Sequence, residues 1–553
     1  MAESMAPSGA VSLHAETKKL LKRELTLLPL FGFIYFTVCG GSFGTEQLAS
    51  LSGPGLMLLL FILTPLLFSI PNMLMVREMQ SMMPAEGGYY HWLKQAFGPF
   101  VGFVGGWMNW VVSWVDVTIY PVLAASYLAF FIPALNNGAT IAGIQIPASV
   151  LSWLVALVVI WGISALNIRG ARLTGLTSNG LGVIMMIPLL LMSIVGFAAW
   201  IKGGVTFSLP FLATGEAVSI PTLLPALSTG LYVAMWNFMG WELPTAAGDE
   251  IVNPKRTYPL AMVLVLIATL LTYGIPAMAG LYGGAGDNGK HQLWGLEASD
   301  SNVGILGDLA GSAPSDTATQ DEKAAYDATT ADWTTKLNTW GVDPASSSGW
   351  YYPDIAHAVA DRFTGETNGT LAQVLGGLVT VAAILSMTGL FIGNGLGGTR
   401  VPFALAQDGM MPKWLVKVHP RYGTPWVSII LCGVIFSIFS WESFGFLVFI
   451  DVFLNMVVLM AEFFAMWKMR ISRPDLPRQR VPGGWFGLVL VTAAPLIVVL
   501  IAIVSRLAEG AESLEWALGA IALGALLYFP VRRWIKPGVA DVNPFEALPE
   551  AAE

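Results

Sequence analysis

Charge is what this sequence has least of. Asp, Glu, Lys and Arg make up 12% of its 553 residues, against about 25% in a soluble domain. Histidine and cysteine are also rare, at five and two residues, and neither follows the spacing of a metal site or of an active-site nucleophile. Both cysteines, Cys39 and Cys432, lie in apolar stretches, so no disulfide framework is expected. These scarcities argue against an enzyme, and no catalytic residue, cofactor or metal is expected.

Apolar sequence is abundant instead, with 55% hydrophobic residues. A helix needs about 20 apolar residues to cross a bilayer. Twelve stretches are candidates, the ninth being the shortest: Leu25–Ser50, Leu56–Met79, Phe97–Phe131, Val150–Leu166, Ser178–Ile201, Thr222–Ala247, Tyr258–Leu281, Leu371–Gly395, Trp426–Trp441, Phe444–Met469, Phe486–Val504 and Leu514–Phe529. The sequence therefore predicts an all-α polytopic membrane protein with 12 transmembrane helices. Residues 1–24 are polar, and we expect no signal peptide there.

The positions of the basic residues predict an orientation. With the N-terminus inside, only six of the 28 basic residues face outward: Lys202, Lys290, Lys323, Lys336, Arg362 and Arg506. Every inner loop is positive, as the positive-inside rule requires. We therefore expect a protein of the cell membrane (plasma or inner) with both termini in the cytoplasm. The expected segments are a tail at 1–24, a transport core at 25–470, peripheral helices at 471–534 and a tail at 535–553.

A long polar insert, residues 283–370, separates the seventh and eighth apolar stretches and is expected outside the membrane. It is acidic and rich in Asp, Ser, Thr, Ala and Gly. One interpretation is a solvated loop with no role in transport. The other is an external lid, in which residues 350–360 form a short helix over the outer vestibule. Both interpretations can hold for different parts of the insert.

The first apolar stretch is interrupted by glycines at residues 39–46, Cys-Gly-Gly-Ser-Phe-Gly-Thr-Glu. Backbone groups freed by a break in a membrane helix need partners, so a break is tolerated only where it faces protein or a watery cavity. The sixth stretch is interrupted in the same way at residues 236–244, Trp-Asn-Phe-Met-Gly-Trp-Glu-Leu-Pro. Broken helices at corresponding positions of two five-helix halves point to a transporter with an inverted repeat. The exposed helix ends suit an anion on one side and a cation on the other.

Carboxylates within the apolar stretches are a further indication of a site, because ionisable groups inside a membrane are costly and usually functional. Four of them form the candidate set: Glu46, Asp116, Glu242 and Asp451. Two others are set aside here. Glu78 is expected to pair with Arg77 or to lie at the membrane interface, and Glu462 lies towards the inner end of its stretch. No lysine or arginine lies deep in a stretch, so the four acids favour a cationic ligand, a proton relay or both.

Several motifs resemble those of one membrane-protein family. Residues 40–46 are similar to the first-helix motif of the amino acid–polyamine–organocation superfamily. They are most similar to its polyamine–proton symporter branch, which includes the plant polyamine uptake transporters. The likeness continues, in order along the chain, in residues 69–71, 84–89, 97–100, 106–108, 120–123, 236–242, 247–255, 406–412 and 421–425. It covers about Leu25 to Gly484 without the insert.

The resemblance implies the leucine-transporter fold, with a 5+5 inverted repeat, broken helices 1 and 6, two peripheral helices and alternating access. It places residues 40–44 at the substrate site with the second break opposite. With the acids and Cys39, the candidate substrate-binding residues are Cys39, Gly40, Gly41, Ser42, Phe43, Gly44, Glu46, Asp116, Trp236, Asn237, Trp241, Glu242 and Asp451. The implied inner gate contains the loop at 248–250 together with Glu86, Gly87, Gly88 and Tyr89.

Three departures from the polyamine branch leave the substrate open. Ser42 stands where the branch tends to have proline, Glu242 where it tends to have aspartate, and Asp451 where it tends to have glutamate. The positions that are acidic in the branch are also acidic in this sequence, which supports a positively charged substrate. A sodium site in this fold would use hydroxyls such as Ser386 and Thr388, but such residues are common in membrane helices. Because of the acids, we expect protons as the coupling ion.

Two other classes fit less well. An enzyme lacks its catalytic motif here, and a channel needs a continuous polar stripe and usually oligomeric symmetry. We expect a secondary transporter that moves a cationic amine, a polyamine or a cationic amino acid, with proton-coupled uptake. The alternative is an exchanger or symporter of neutral or other amino acids.

Overall fold

A computed structural model describes the chain over residues 26–82, 88–169, 171–242, 252–285, 289–298, 303–311, 313–315, 317–407, 411–476, 478–509 and 512–532. A short hairpin of β1 (Ala139–Ile141) and β2 (Ile144–Ile146) pairs antiparallel, with Thr140 opposite Gln145. In chain order the helices are α1 (Leu27–Val38), α2 (Gln47–Leu51), α3 (Pro54–Met82), α4 (Gly88–Phe97), α5 (Pro99–Leu128), α6 (Ala134–Asn137), α7 (Ala148–Arg169), α8 (Ala171–Lys202), α9 (Ile220–Trp236), α10 (Pro254–Gly280), α11 (Gly304–Ala310), α12 (Gln320–Trp340), α13 (Tyr352–Thr364), α14 (Thr370–Gly398), α15 (Val401–Gln407), α16 (Trp426–Phe439), α17 (Phe444–Ser472), α18 (Gly484–Glu509) and α19 (Glu512–Arg532).

Nine helices in the described ranges are long and apolar enough to cross a membrane: α3, α5, α7, α8, α10, α14, α17, α18 and α19. Their outer faces keep large apolar side chains exposed, among them Val158, Leu190, Ile267 and Leu526. A contiguous apolar surface of this kind is unfavourable in water and favourable in lipid. These helices therefore follow from the long apolar runs of the sequence.

The three remaining predicted spans differ from a long continuous helix. The first is split into α1 and α2, the sixth ends as a helix at Trp236, and the ninth is the 14-residue α16. Thr222–Ala247 was expected as one span interrupted at residues 236–244, and its helix ends at Trp236, immediately before Asn237. Each of the twelve predicted spans thus has a corresponding element, and the crossing of the membrane by these three stays a prediction.

The insert contains α11, α12 and α13. Its segments on either side of α12 meet in two isolated β-bridges, Trp294 with Trp350 and Glu297 with Ser348. α13 packs against α8 and α14, whereas most residues of α12 are exposed. The insert is therefore packed on the helical bundle near residues 290–298 and 346–364 and extends from it at α12.

A buried ion pair joins α3 to α17. Glu78 is fully buried and its carboxylate pairs with the guanidinium of Arg470. The backbone N–H of Val481 donates to the same carboxylate at 2.7 Å. The expected pairing of Glu78 with Arg77 is wrong, because Arg77 Nε donates instead to Gln479 Oε1 at 2.9 Å. The expected position of Glu78 at the membrane interface stays a prediction. The partner of Glu78 comes from 392 residues further along the chain.

Candidate functional site

The first break lies where the sequence predicts it. α1 ends at Val38, Cys39 is extended, and the helix resumes only at Gln47. Gly41 and Gly44 have φ values of 91° and 88°, in the region that glycine adopts without strain. The glycines of the motif therefore allow the chain to leave the helix and re-enter it within eight residues, Cys39–Glu46.

The two breaks touch each other. A Cβ atom at Gly44 would lie 2.9 Å from the indole ring of Trp236, closer than real Cβ contacts. On the other side, Gly240 (φ 93°) lies against the backbone carbonyl of Thr37 in α1, which a Cβ atom would approach to 3.0 Å. The structure therefore brings the two glycine-containing interruptions together.

Hydroxyl groups hold the first break in place: two of them donate to carbonyls of the break, and a third, from the break itself, donates to a carbonyl of α10. Ser386 of α14 donates to the Gly40 carbonyl, and Ser42 donates to the Thr272 carbonyl of α10. Thr45 Oγ1 donates to the Ser42 carbonyl at 2.6 Å. Thr388 lies half-buried two residues after Ser386. The role of these two α14 hydroxyls in ion coupling stays a prediction.

The second break is held by its own side chains. Asn237 Nδ2 donates to the Val233 carbonyl at 2.9 Å, and Tyr273 of α10 donates to the Asn237 carbonyl at 2.9 Å. Trp241 is fully buried, and its Nε1 donates to the Phe238 carbonyl at 2.8 Å. The polar groups of Asn237 and Trp241 are thus used within the break. Cys39 is also fully buried, with its thiol directed to the Gly41 carbonyl at 3.9 Å.

Glu46 forms a fully buried link between the first break, α5 and the insert. Its Oε2 accepts the Gly44 N–H at 2.7 Å. Its Oε1 accepts the Tyr127 hydroxyl at 2.9 Å and the backbone N–H of Tyr352 at 3.1 Å. Phe43 packs edge-on against both tyrosine rings. The contacts of Glu46 therefore go to this tyrosine cluster and not to the other candidate acids.

Asp116 lies midway along α5, against the second break. Its Oδ1 accepts the Tyr120 hydroxyl at 2.9 Å and the Trp236 indole N–H at 3.3 Å. The same tyrosine hydroxyl accepts Asn394 Nδ2 of α14 at 2.9 Å. Asp116 is therefore positioned by polar neighbours from two other elements, the second break and α14.

Asp451 lies buried near the start of α17, which packs against α5. Its Oδ1 accepts Asn455 Nδ2 at 3.1 Å. Asn455 lines a cleft together with Glu242, and Trp236 of the second break donates to Asp116. Three of the four candidate acids, from α5, the second break and α17, therefore lie on neighbouring elements, and Glu46 lies in a separate cluster.

A narrow cleft lies beside Glu242, with a cavity volume of about 20 Å³. Its polar lining consists of Asn72 of α3, Asn109 of α5, Glu242, and Asn455 and Glu462 of α17. We call it the Glu462 cleft. Sequence reasoning set Glu462 aside by its depth in the stretch. A helix-face count would have found it, since the spacing Asp451, Asn455 and Glu462 keeps all three on one side of α17.

The predicted inner gate falls largely outside the described residues. Glu86 and Gly87 and the loop at 248–250 lie outside them, and Gly88 and Tyr89 begin helix α4. Their role stays a prediction.

Comparison with known proteins supplies the family. The model of the amino acid permease family matches residues 25–312 and 345–517. Polyamine transporter RMV1 of Arabidopsis thaliana is 26% identical over 96% of this chain and 90% of its own length. Polyamine transporter PUT1 of Oryza sativa subsp. japonica is 28% identical over 96% of this chain and 82% of its own length. A probable polyamine transporter of Arabidopsis thaliana is 27% identical over 94% of this chain and 88% of its own length.

The chain belongs to the amino acid permease family. With its long apolar helices it is a multi-pass membrane protein. It is a transporter with a small-molecule substrate and not an enzyme, as the sequence predicts.

Proposed function

We propose that this protein is a secondary transporter of cationic amines, polyamines or cationic amino acids, and that it works by alternating access. The substrate cavity lies where Asp116, Glu242 and Asp451 meet beside the two breaks. The proposed architecture has 12 transmembrane helices with a 5+5 inverted repeat of the leucine-transporter type. The curated relatives, which are named polyamine transporters, support this substrate class.

The meeting of these three acids is the observation that carries the proposal. In the described part of the chain, Asp116 and Asp451 have hydrogen bonds with Tyr120, Trp236 and Asn455 and no ion pair with a basic side chain. Like charges brought together inside a membrane are unfavourable unless a cation or protons compensate them. An ammonium group supplies that charge and three hydrogen-bond donors. The arrangement therefore favours a positive substrate.

Alternating access is supported by the contacts of the first break. Tyr352 of α13 reaches Glu46 and Phe43, so the insert covers this break. In our proposal α13 is the external lid, and this conformation is closed on the side of the insert.

Protons are the proposed coupling ion. Buried carboxylates exchange protons readily when a cation arrives or leaves. The Ser386 hydroxyl, a candidate sodium ligand, donates its proton to the Gly40 carbonyl, so both groups are engaged with each other.

The alternative substrate is a neutral amino acid, whose carboxylate would bind free N–H groups of the first break. The Gly44 N–H donates to Glu46 at 2.7 Å and to the Tyr127 hydroxyl at 2.8 Å. A substrate carboxylate at this N–H would have to displace Glu46. This contact favours an amine substrate over a neutral amino acid whose carboxylate would bind only to the N–H groups of the break.

Counterflow uptake in proteoliposomes tests the proposal, with putrescine, spermidine, arginine and leucine compared as labelled substrates. We expect counterflow of the cations and, in separate assays with imposed gradients, uptake that is driven by a pH gradient and unchanged by a sodium gradient. Uptake of leucine alone would refute the cationic substrate. Uptake that follows the sodium gradient would refute proton coupling.

A further inference from the structure

A cluster of exposed cations lies where the membrane helix α7 ends. The loop that precedes α16, residues 411–425, is held at this end because Thr424 Oγ1 donates to the Ile168 carbonyl of α7 at 2.6 Å. Four exposed cations belong to the loop and to the end of α7: Arg169, Lys413, Lys417 and Arg421. Residues 409–441 include no Asp or Glu, and within the described residues none of the four cations forms an ion pair. The positive charge of this surface is therefore left uncompensated by the described part of the chain.

A surface cleft of about 410 Å³ opens in the same loop. Its lining residues, which define what we call the Lys417 cleft, are Lys417, Val418, His419, Pro420 and Trp426. His419 Nδ1 accepts the backbone N–H groups of Arg421 and Tyr422 at 3.2 and 3.3 Å. In the neutral ring the proton is therefore on Nε2, which is a hydrogen-bond donor. The side chains of the cleft offer donors and a positive charge without a carboxylate, which suits an anion rich in oxygen atoms.

The loop that forms the cleft has a closed shape of its own. The His419 N–H donates to the Thr424 carbonyl at 2.7 Å, and the Gly423 N–H donates to the His419 carbonyl at 2.9 Å. The Tyr422 ring packs on the imidazole of His419 with centroids 4.7 Å apart, and the Arg421 guanidinium lies 5.4 Å from the centre of the tyrosine ring. A site that is already ordered loses little conformational entropy when a ligand binds.

The cleft continues into the lipid-facing surface of two helices. α16 begins at Trp426, in the cleft itself. It runs antiparallel to α7, because the loop contacts Ile168 and, further along, a Cβ atom at Gly433 would lie 3.4 Å from the Trp161 ring. Large apolar side chains on these stretches of the two helices are exposed: Leu166, Ile430 and Val434. A ligand with both an anionic headgroup and apolar chains would use both surfaces, whereas a soluble anion would use only the cations.

We propose that the Lys417 cleft binds the phosphate headgroup of an anionic phospholipid, whose acyl chains lie along α7 and α16. The same region anchors a third helix. Ser428 of α16 donates to the Thr399 carbonyl at the end of α14 at 2.6 Å, and Asn167 of α7 donates to the Thr399 hydroxyl at 3.1 Å. A lipid bound here therefore stabilises the packing of these helices, since a ligand that binds only the folded state raises its stability. The inference does not depend on which substrate the protein carries.

Three probes test the site by their effect on the melting temperature of the purified full-length protein in detergent micelles. Dioleoyl phosphatidylglycerol has the charge and the chains, dioleoyl phosphatidylcholine has the chains without net charge, and glycerol 3-phosphate has the charge without chains. We expect phosphatidylcholine to bind at least about tenfold more weakly than phosphatidylglycerol, and glycerol 3-phosphate to have no effect at the same concentration. Equal stabilisation by the two lipids would overturn the proposal. Stabilisation by glycerol 3-phosphate equal to that by phosphatidylglycerol would also overturn it, because the site would then take a soluble anion.

Single-charge variants locate the site. Lys417→Gln and Arg421→Gln are each expected to weaken phosphatidylglycerol binding about fivefold, the factor for one cation near an anionic lipid, and to leave phosphatidylcholine binding unchanged. Arg256→Gln is the matched control, because it removes an exposed cation at the start of another membrane helix, α10, and should keep the wild-type affinity. An equal loss in all three variants would indicate general attraction to surface charge and overturn the site, as would no loss in either cleft variant. If a variant does not fold, the three-probe comparison on the wild type still decides.

Discussion

The carboxylate of Glu46 accepts the backbone N–H of Tyr352 at 3.1 Å, across 306 residues of sequence. This bond joins the first helix break to the first residue of α13 in the insert. Thr45 and the Tyr352 hydroxyl, 3.3 Å apart, add a second contact between the same segments. The last part of the insert is therefore attached to the break itself, which is the relationship that an external lid requires.

The Glu46 bonds predict the behaviour of Glu46→Gln. The amide keeps the size of the side chain but offers one acceptor oxygen where the carboxylate accepts three donors. A buried donor left without a partner costs about 1–3 kcal/mol. We expect a lower melting temperature in detergent and faster hydrogen exchange of the backbone around residue 352. Protection at residue 352 equal to that of the wild type would contradict the link between Glu46 and α13.

Gly44 is predicted to tolerate no side chain. Its φ of 88° strains any other residue by about 1–3 kcal/mol, and its Cβ would overlap the Trp236 ring at 2.9 Å. Gly44→Ala should therefore melt at a lower temperature and lose uptake. Gly32→Ala is the matched control, because it lies in α1 with open space around its Cβ position. Equal melting temperatures for the two variants would show that the packing between the two breaks contributes little to the stability of the protein.

The Glu78–Arg470 pair predicts a large stability effect. Arg470→Gln leaves the carboxylate of Glu78 fully buried without its charged partner, a loss that typically costs about 3–5 kcal/mol. Arg473→Gln removes a largely exposed pair with Asp475 and should cost no more than about 1 kcal/mol. Thermal melts of both variants, and of Glu78→Gln combined with Arg470→Gln, provide the comparison. The prediction is wrong if Arg470→Gln is as mild as Arg473→Gln.

Asp354 gives α13 a pH dependence. Burial raises the pKa of this carboxyl to about 6, while the Tyr351 N–H that donates to it at 3.1 Å acts to lower it. A raised pKa means that the folded state holds its proton more tightly than the unfolded state. The stabilisation from Asp354 is therefore full below about pH 4 and is lost as the pH rises through about 6.

Asp354→Asn keeps the shape and the acceptor of the side chain but removes the titration. Between pH 4.5 and 7.5, hydrogen exchange at residues 351–356 should accelerate in the wild type more than in the variant, after correction for the intrinsic pH dependence of exchange. Identical pH profiles for the two proteins would remove Asp354 as the titrating group.

Local composition was enough to predict the two breaks. Glycine, asparagine and proline inside long apolar runs have a direct backbone consequence, and the structure has the interruptions at Cys39 and Asn237. The long helices follow equally directly from apolar runs of about membrane length.

Side-chain partners on distant helices could not be predicted from the sequence. Neither Arg470 for Glu78 nor Tyr352 for Glu46 can be found from sequence spacing, because each pairing depends on how distant helices pack. The separation of Glu46 from the other acids has the same cause. Glu462 is a different case, since its position on the Asp451 face of α17 is a helical spacing that the sequence already contains.

The most direct test of the account is spermidine uptake by proteoliposomes containing the wild type or Glu242→Gln, with equal amounts of protein verified in the membrane. The account predicts uptake by the wild type that rises with an inward proton gradient, and no uptake by Glu242→Gln. Normal spermidine uptake by Glu242→Gln would contradict the central claim that the carboxylates beside the two helix breaks bind a cationic amine.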